Sequence, residues 1–386
     1  MKIKLSNKTF FLLLHAAIVL GISYLIVSCF TLDIKLFSVA DKDDNAPSDK
    51  YLYMKSKNEQ AKLDTTITLV SIDACKDRFE IARLIEQIDS LHPKAIGLDV
   101  YFKYRKEPDV DIVLENVLRK CKNLVLACIL DGEQRGNTDT YSTCNHCFFA
   151  EQDNHHFTEG FINLDGDGFS TIRTFTPKLF LQKGNTLDTL YGFPAQIVRL
   201  YDATAFQYML KRSGNQELIR FQPFRFYELE KDEIEDNKEQ ITGKIVLMGT
   251  LSEDMHKTPI HPQMYGMEIH AHIISTILDK KFIDRVDNIW TKLMNILLCY
   301  LFALFCCFVK TRLKKGIAIL IKLVNMVILL IAFFACYYLF KHYNIYVVYT
   351  QSIFVMTVVI FVVEIYLIGI TFGSEYLLKR KNNKSK

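Results

Sequence analysis

The fold of the soluble part follows from residues 67–73, which read ITLVSID. This stretch is apolar on both faces and rich in β-branched residues, which is typical of a strand buried inside a sheet. Similar strands and intervening helices are predicted along the following 200 or so residues. The further strands are at residues 95–99 (AIGLD), 124–129 (LVLACI) and 244–249 (KIVLMG), and the helices are at 78–91, 109–120 and 267–279. The alternation predicts an α/β domain with a mostly parallel, helix-covered sheet over residues 50–285.

Polar residues follow the predicted strands. Asp73 and Asp99 each end a strand, and Thr250 and Asp254 come directly after the last strand. Ligands of open parallel sheets bind beyond the carboxyl ends of the strands. These four residues, together with His270 in the first turns of the next helix, are therefore the predicted ligand-binding residues. The alternative is that the polar side chains only cap turns and helices.

Four apolar runs flank this domain, and each is long enough for a membrane span of about 20 residues. They cover residues 10–30, 290–309, 316–340 and 345–372. The N-terminal tail (residues 1–9), the cluster between the second and third runs, and the tail at residues 373–386 are all basic, which places them in the cytoplasm. The pattern predicts a multi-pass protein of the cell inner membrane, with a lipid bilayer around its helices and the α/β domain in the periplasm. A cleaved signal peptide, or a lipoprotein with Cys29 as the lipidated residue, is the alternative for the first run.

Five segments occur within residues 65–285 in an order that resembles one known family. They are the strand ending at Asp73, the segment PKAIGLDVYF at 93–102, Asp111 with Leu114, the segment GFINLDGDG at 160–168 with Arg173, and GKIVLMG at 243–249 followed by Asp254, Thr258-Pro259, Gly266 and His270-Ala271. This order resembles the type 2 CHASE domain, as does the layout of one apolar run before the domain and three after it. The resemblance implies an extracytoplasmic sensory domain of the kind found in bacterial cyclases, histidine kinases and serine/threonine kinases, and it names no ligand or cofactor.

The chain departs from that family in two places. Residues 74–80 read ACKDRFE, where a loop containing Trp-Pro is common in the family. In signalling members an enzyme follows the last membrane helix, whereas this sequence ends at Lys386. We therefore expect a stand-alone form without an output domain, whose signal is read by a separate signalling or effector protein.

An Asp/Gly-rich segment contains Asn163, Asp165 and Asp167 at the opening spacing of a calcium loop. Thr174 stands at the position where such a loop needs a bidentate Glu, so the calcium prediction is weak. The alternative is a structural turn in which Arg173 pairs with Asp165 or Asp167.

Cys144 and Cys147, with His155 and His156 nearby, are candidate zinc ligands. A disulfide or unpaired thiols are favoured over zinc, because cysteines outside the cytoplasm more often form disulfides. The α/β domain contains five cysteines, so at least one has no partner within the chain, and the connectivity stays open.

Lys322 and Glu364 are charged residues within the apolar runs, each roughly two helical turns from the cytoplasmic face, and are predicted to pair. Gly369 and Gly373 have the small-xxx-small spacing of close helix contacts, which leaves a homodimer open. The net charge of +4 is too small to indicate nucleic-acid binding.

The preferred hypothesis is a membrane-anchored extracytoplasmic sensor that passes a signal through its helices to a separate partner. The first alternative is an extracytoplasmic metal-assisted hydrolase that uses Asp73, Asp99, Asp254 and His270. The second is a channel or transport accessory subunit built on the four apolar runs. No recognisable catalytic motif is present in the sequence, so we do not expect an enzyme.

Overall fold

The computed structural model describes residues 7–31, 47–135, 138–151, 157–165, 171–183, 186–212, 214, 216–286, 289–312, 318–347 and 350–384. The chain divides into two compact units. The first, here called the central unit, is Asp49–Ile283, and the second, the flanking unit, is Met1–Ser48 with Asp284–Lys386.

The α-helices occur in both units. They are α1 (Asn7–Thr31), α2 (Pro47–Asn58), α3 (Arg78–Ser90), α4 (Pro108–Lys120), α5 (Phe148–Glu151), α6 (Phe193–Tyr201), α7 (Ala203–Leu210), α8 (Gly266–Asp279), α9 (Ile289–Arg312), α10 (Ala318–Tyr343) and α11 (Thr350–Lys384). Two short 3₁₀ helices cover Lys231–Glu233 and Lys238–Gln240.

The strands are mostly short. They are β1 (Lys62–Ser71), β2 (Ala95–Leu98), β3 (Leu124–Arg135), β4 (Thr138–Asn145), β5 (Thr158–Phe161), β6 (Thr174–Phe175), β7 (Lys178–Lys183), β8 (Thr186–Tyr191), β9 (Glu217–Leu218), β10 (Phe224–Leu229), β11 (Ile245–Gly249), β12 (Met255–His256), β13 (Met264–Tyr265), β14 (Asp284–Val286) and β15 (Ile345–Val347).

A seven-stranded sheet forms the middle of the central unit. Its order is β10-β1-β11-β2-β3-β4, with β5 also paired to β3. Every pairing is parallel except that of β3 with β4. The predicted α/β class with a mostly parallel sheet is therefore confirmed.

The sheet is buried on both faces, because side chains that alternate along its strands enter two different cores. Ile67 and Leu69 of β1 pack with α6, α7 and α8 in one core, whereas Val70 packs with α3 and α4 in the other. Strand β11 alternates in the same way, with Leu247 in the first core and Met248 in the second. This two-sided burial is why the strands read as continuous apolar runs in the sequence.

Helices α3 and α4 are joined by a buried ion pair on the second face of the sheet. Arg78 Nη1 lies 2.6 Å from Asp111 Oδ1, and both side chains are less than a tenth exposed. Arg78 Nη2 also donates to the carbonyl of Tyr104, and Asp111 Oδ2 accepts from the backbone of Lys106. The ion pair therefore fixes the loop before α4 as well as the two helices.

In the described part of the flanking unit, four helices are long and apolar enough to cross a membrane. The apolar segments are Thr9–Ser28, Ile289–Thr311, Lys322–Tyr343 and Phe354–Gly373, in α1, α9, α10 and α11. A cluster of small and β-branched side chains from α1, α9 and α11, including Ala16, Ala303 and Val359, packs these three helices together.

Residues 345–347 differ from the prediction that they begin the fourth span. They form β15, which pairs in parallel with β14, and the backbone N–H of Asp284 donates to the carbonyl of Asn344 at 2.9 Å. The side chains of β15 are apolar enough for a span, but their backbone groups pair with a strand, so the helix starts only at Thr350.

Candidate functional site

Three neighbouring loops meet at the carboxyl edge of the sheet. Strands β1, β11 and β2 are adjacent and parallel, and Ser71 lies opposite Gly249. Asp73, Thr250 and Asp99 come just after these strands and therefore lie at the same edge. We call the site formed by Asp73, Asp99, Thr250, Asp254 and His270 the rim.

Asp73 ties the loop after β1 to the loop after β11. Its Oδ1 accepts a hydrogen bond from Thr250 Oγ1 at 2.5 Å, and its Oδ2 accepts one from the backbone N–H of Leu251 at 2.9 Å. Burial alone would raise the pKa of Asp73, but hydrogen bonds from Thr250, Leu251 and Ser252 outweigh it and lower the pKa overall. Asp73 is therefore ionised at neutral pH.

Asp99 and His270 face each other within the rim. His270 Nε2 lies 3.9 Å from Asp99 Oδ2, which is too long for a hydrogen bond. Burial, with a smaller contribution from the charge of Asp254, raises the pKa of Asp99 to about 7. Burial lowers the pKa of His270 to about 4. Near pH 7 the rim thus holds a neutral imidazole beside a carboxyl group close to its titration midpoint.

His270 also has an unused polar atom. Its Nδ1 is buried and has no hydrogen-bond partner among the described residues. The ring packs edge-on against Phe193, with centroids 5.4 Å apart. A cavity of about 10 Å³ borders His270, and its polar lining is supplied by Asn163 and Thr176. That volume suits a single water molecule. Of the five rim residues, His270 alone borders this cavity.

Asp254 is held in a strained position above the start of α8. Its φ of +58° lies in the left-handed region, which non-glycine residues rarely adopt. Its Oδ1 lies 2.9 Å from His256 Nε2, and this hydrogen bond, opposed by burial, lowers the pKa of Asp254. A Cβ on Gly266 would lie only 2.4 Å from Asp254 Oδ2. A glycine at the start of α8 therefore makes room for this carboxylate.

The sequence prediction did not include His256 or Gly266 among the rim residues. His256 lies in β12, which pairs with β13 just before Gly266, so a two-stranded hairpin brings the imidazole and the glycine to Asp254. The signal in the sequence was the cluster of histidines after the last strand, but their spacing alone did not say which one contacts an acid. His272, two residues after His270, is buried between Phe221 and Phe226, away from Asp99.

Two of the predicted calcium or turn residues, Asn163 and Asp165, form side-chain hydrogen bonds within the central unit. Asn163 Oδ1 accepts from the backbone N–H of Leu130 at 2.7 Å, and its amide group donates back to the carbonyl of Leu130. Asp165 Oδ1 accepts from Thr176 Oγ1 at 2.9 Å. Asp167 lies outside the described residues. The oxygen of Asn163 is thus engaged in holding β3.

Arg173 forms an ion pair with Asp49 of α2, a contact that the sequence did not predict. Its pairing with Asp165 or Asp167 stays a prediction. Its Nη2 and Nε lie 2.7 Å and 2.9 Å from Asp49 Oδ2. Both side chains are largely buried, at 9% and 14% exposed. The partner lies 124 positions away in the chain, which is why the local sequence pattern did not reveal it.

Cys144 and Cys147, the candidates for a disulfide or a weak zinc site, lie in different apolar clusters of the central unit. Cys147 packs in the core beneath α3 and α4, whereas Cys144 packs beside Cys128 in a separate apolar cluster. His146 Nδ1 lies 2.7 Å from Glu159 Oε2. His155 and His156 lie outside the described residues.

Within the described ranges, no group of three or more His, Cys, Asp or Glu side chains is arranged to hold a metal ion. The statement applies to the described zinc candidates, Cys144 and Cys147, and to the rim residues named for the alternative hydrolase.

Lys310, not Lys322, pairs with Glu364. Lys310 Nζ lies 2.7 Å from Glu364 Oε1, and Lys322 is exposed on α10. Helix α10 packs less closely than α1, α9 and α11. A second polar contact, between His15 Nδ1 and Tyr366 Oη at 2.8 Å, joins α1 to α11 and was not predicted.

Gly369 and Gly373 of α11 face open space, and a Cβ at either position would meet no atom within 4 Å. The close helix contact suggested by their spacing is therefore not made with any of the described residues.

A family model described as the CHASE2 domain matches residues 43–309, which is more than half of the chain. No curated protein and no solved structure matches the chain. The matched range contains the whole central unit and most of α9, in agreement with the resemblance noted from the sequence. The chain belongs to the CHASE2 family of extracytoplasmic sensory domains.

Proposed function

We propose that this protein is a sensor of the cell inner membrane, with its central unit in the periplasm. It binds a small ligand at the rim and transmits the resulting change to a separate effector protein. Membership of a sensory domain family and the four apolar helices support the general role.

The observation that carries the proposal is the position of α8. Near its start, this helix supplies His270, which faces Asp99 in the rim. It ends at Asp279, and the chain then continues through residues 280–288 into the apolar helix α9. A ligand that displaces His270 would therefore act on a helix that is joined to the apolar helix α9 through the short strand β14 alone.

The charges of the rim indicate the chemistry of its ligand. The lowered pKa values of Asp73 and Asp254 keep both carboxylates ionised at neutral pH. The pKa of Asp99 near 7 leaves it partly charged, while His270 stays neutral. An acidic site with a neutral imidazole favours a small cation that donates hydrogen bonds, such as an amine.

Binding would change Asp99 more than the other acids. A cation close to Asp99 favours its charged form, so its pKa should fall and the rim should lose a proton when the ligand binds. Signalling then requires two states of α8 that differ in affinity for this ligand.

Ligand binding is tested with full-length protein in detergent. The probes are primary amines, polyamines and divalent cations, with carboxylate anions of matched size as controls. A solute at about 100 times its Kd stabilises the folded state by about 2.7 kcal/mol, or about 5–10 °C in Tm. We expect such a shift with a cation, its loss in Asp99→Asn, and its retention in Asp232→Asn, which replaces an exposed acid elsewhere. If the cation raised the Tm of Asp99→Asn as much as that of Asp232→Asn, binding at the rim would be contradicted.

Placement and output are tested separately. A periplasm-dependent reporter inserted after Tyr201, between α6 and α7, should be active, and a cytoplasm-dependent reporter at the same position should not. Crosslinking in membranes followed by purification of the full chain should then recover one reproducible partner whose yield changes in Asp99→Asn. An active cytoplasmic reporter would overturn the placement.

A further inference from the structure

Two cysteines of the central unit lie against each other across adjacent strands. In the antiparallel pairing of β3 and β4, Cys144 lies opposite Leu130. Cys128 is two residues before Leu130, so its side chain points to the same face of the sheet. The two thiols form a hydrogen bond with each other.

The surroundings select this pair over the other cysteines. Cys128 and Cys144 share a small apolar cluster with Leu130 and Phe161. Cys147 is close in sequence but packs in the core beneath α3 and α4. The thiol of Cys121 contacts Asp89 Oδ1 at 3.3 Å. The geometry therefore pairs Cys144 with Cys128 and not with Cys147.

We propose that Cys128 and Cys144 form a structural disulfide that fastens β4 to β3. The inference rests on the periplasmic placement proposed above, since disulfides persist in oxidising compartments. An extracytoplasmic disulfide-bearing thiol oxidoreductase is the oxidant. The two thiols lose two protons and two electrons, a bond forms between the Sγ atoms, and the disulfide of the oxidoreductase is reduced to two thiols.

Burial determines when this bond forms. The mutual hydrogen bond and burial raise the pKa of the Cys128 thiol far above its ordinary value. Because the thiolate is the species that attacks a disulfide, the folded domain should react slowly. Oxidation therefore takes place while the chain folds, before β4 closes over Cys128. Once formed, the bond holds β4, which is the last strand of the sheet path, in place.

The test uses the full chain produced in a bacterial host with an oxidising periplasm. Membranes are quenched in acid, alkylated under denaturing conditions without reductant, and digested with trypsin. Cys128 lies in the peptide 123–135, and Cys144 and Cys147 both lie in the peptide 136–173. We expect these two peptides to be recovered linked in most molecules, and to separate after reduction.

Two matched variants identify the partner cysteine. Cys147→Ser should keep the linked peptides, and Cys144→Ser should lose them and leave the peptide 123–135 alkylated. Alkylated 123–135 in the wild-type chain would overturn the proposal, as would a link that survives Cys144→Ser and disappears in Cys147→Ser.

Placement is read in the same cells by a membrane-impermeant maleimide directed at Asp236→Cys, an exposed position, with the chain lacking this change as background. If the maleimide labels this position in intact cells and the peptide 123–135 is alkylated, the disulfide is rejected and the periplasmic placement is kept. Labelling only after lysis would reject the placement.

Discussion

At the scale of single residues, Gly266 leaves no room for a side chain beside Asp254 of the rim. Gly266→Ala would place a Cβ 2.4 Å from Asp254 Oδ2 and force the carboxylate off His256. We expect a loss of about 1–3 kcal/mol in the free energy of unfolding, the usual cost of overpacking. Chemical denaturation of the full chain in detergent measures it.

A double-mutant cycle supplies the control for this prediction. Asp254→Gly removes the side chain that Cβ would meet, and it also suits the backbone φ of +58°. In that background Gly266→Ala should cost much less than in the wild-type chain. Equal costs in both backgrounds would show that the contact with Asp254 is not the cause.

His272 should make the central unit sensitive to acid. Burial alone lowers its pKa to about 3, whereas the unfolded chain has the ordinary value near 6.5. Since the folded value is depressed, the unfolded state binds the extra proton. The contribution of His272 to the free energy of unfolding is full above pH 6.5. It is lost as the pH falls from 6.5 towards 3, by about 1.4 kcal/mol per pH unit.

The variant His272→Phe keeps the edge-on contacts with Phe221 and Phe226 but cannot be protonated. Its unfolding free energy should therefore fall less steeply than that of the wild type between pH 6.5 and 4, with pH 8 as the reference. Parallel curves for the two proteins would exclude His272 as the group responsible.

At the scale of secondary-structure elements, the Arg78–Asp111 pair holds α3 against α4. Asp111→Ala would leave a buried guanidinium without its carboxylate, which costs about 3–5 kcal/mol. Glu115→Ala is the matched control on the same helix. Its i,i+4 pair with Arg119 is more exposed, and its loss should cost under about 1 kcal/mol. Similar costs for the two variants, measured by denaturant unfolding, would contradict the structural role of the buried pair.

The sequence revealed those elements whose side chains are uniformly buried. Strands β2 and β11 and the second half of β1 are apolar and buried, and their order placed Asp73, Asp99 and Thr250 at one edge. It did not reveal β12 and β13, because strands of two residues are too short to show any periodicity. His256, which lies in β12, was therefore not assigned to the rim.

Partners distant in sequence were also missed. The acid that binds Arg173 lies in α2, which is a polar helix with no signal for what it contacts. The predicted intramembrane pair named Glu364 correctly, but its partner in the structure is Lys310 and not Lys322. The depth of a charged residue in the membrane can be estimated from its position in the sequence. Which helices pack against each other, here α9 and α11, cannot be read from the sequence.

At the scale of the whole molecule, the packing of the flanking unit depends on a charged contact between α9 and α11. Lys310→Leu would leave Glu364 without its cation in an apolar segment, at a cost of about 3 kcal/mol. Changing both residues to Leu should restore most of the lost stability. Lys322→Leu is the control, because Lys322 forms no ion pair with Glu364 among the described residues, and its loss should lower stability less than that of Lys310. Thermal stability of the detergent-solubilised chain measures all three, and an equal loss in Lys310→Leu and Lys322→Leu would contradict the pairing.

The short parallel pairing of β14 with β15 determines how many helices respond when β14 moves. β14 directly follows the central unit, and β15 lies between α10 and α11. If β14 shifts along its own axis, its backbone hydrogen bonds carry β15 with it, and the start of α11 and the end of α10 shift in the same direction. One displacement is thus distributed over three membrane helices instead of one, so an effector that contacts only α10 or α11 would still sense the state of a domain to which neither helix is directly joined.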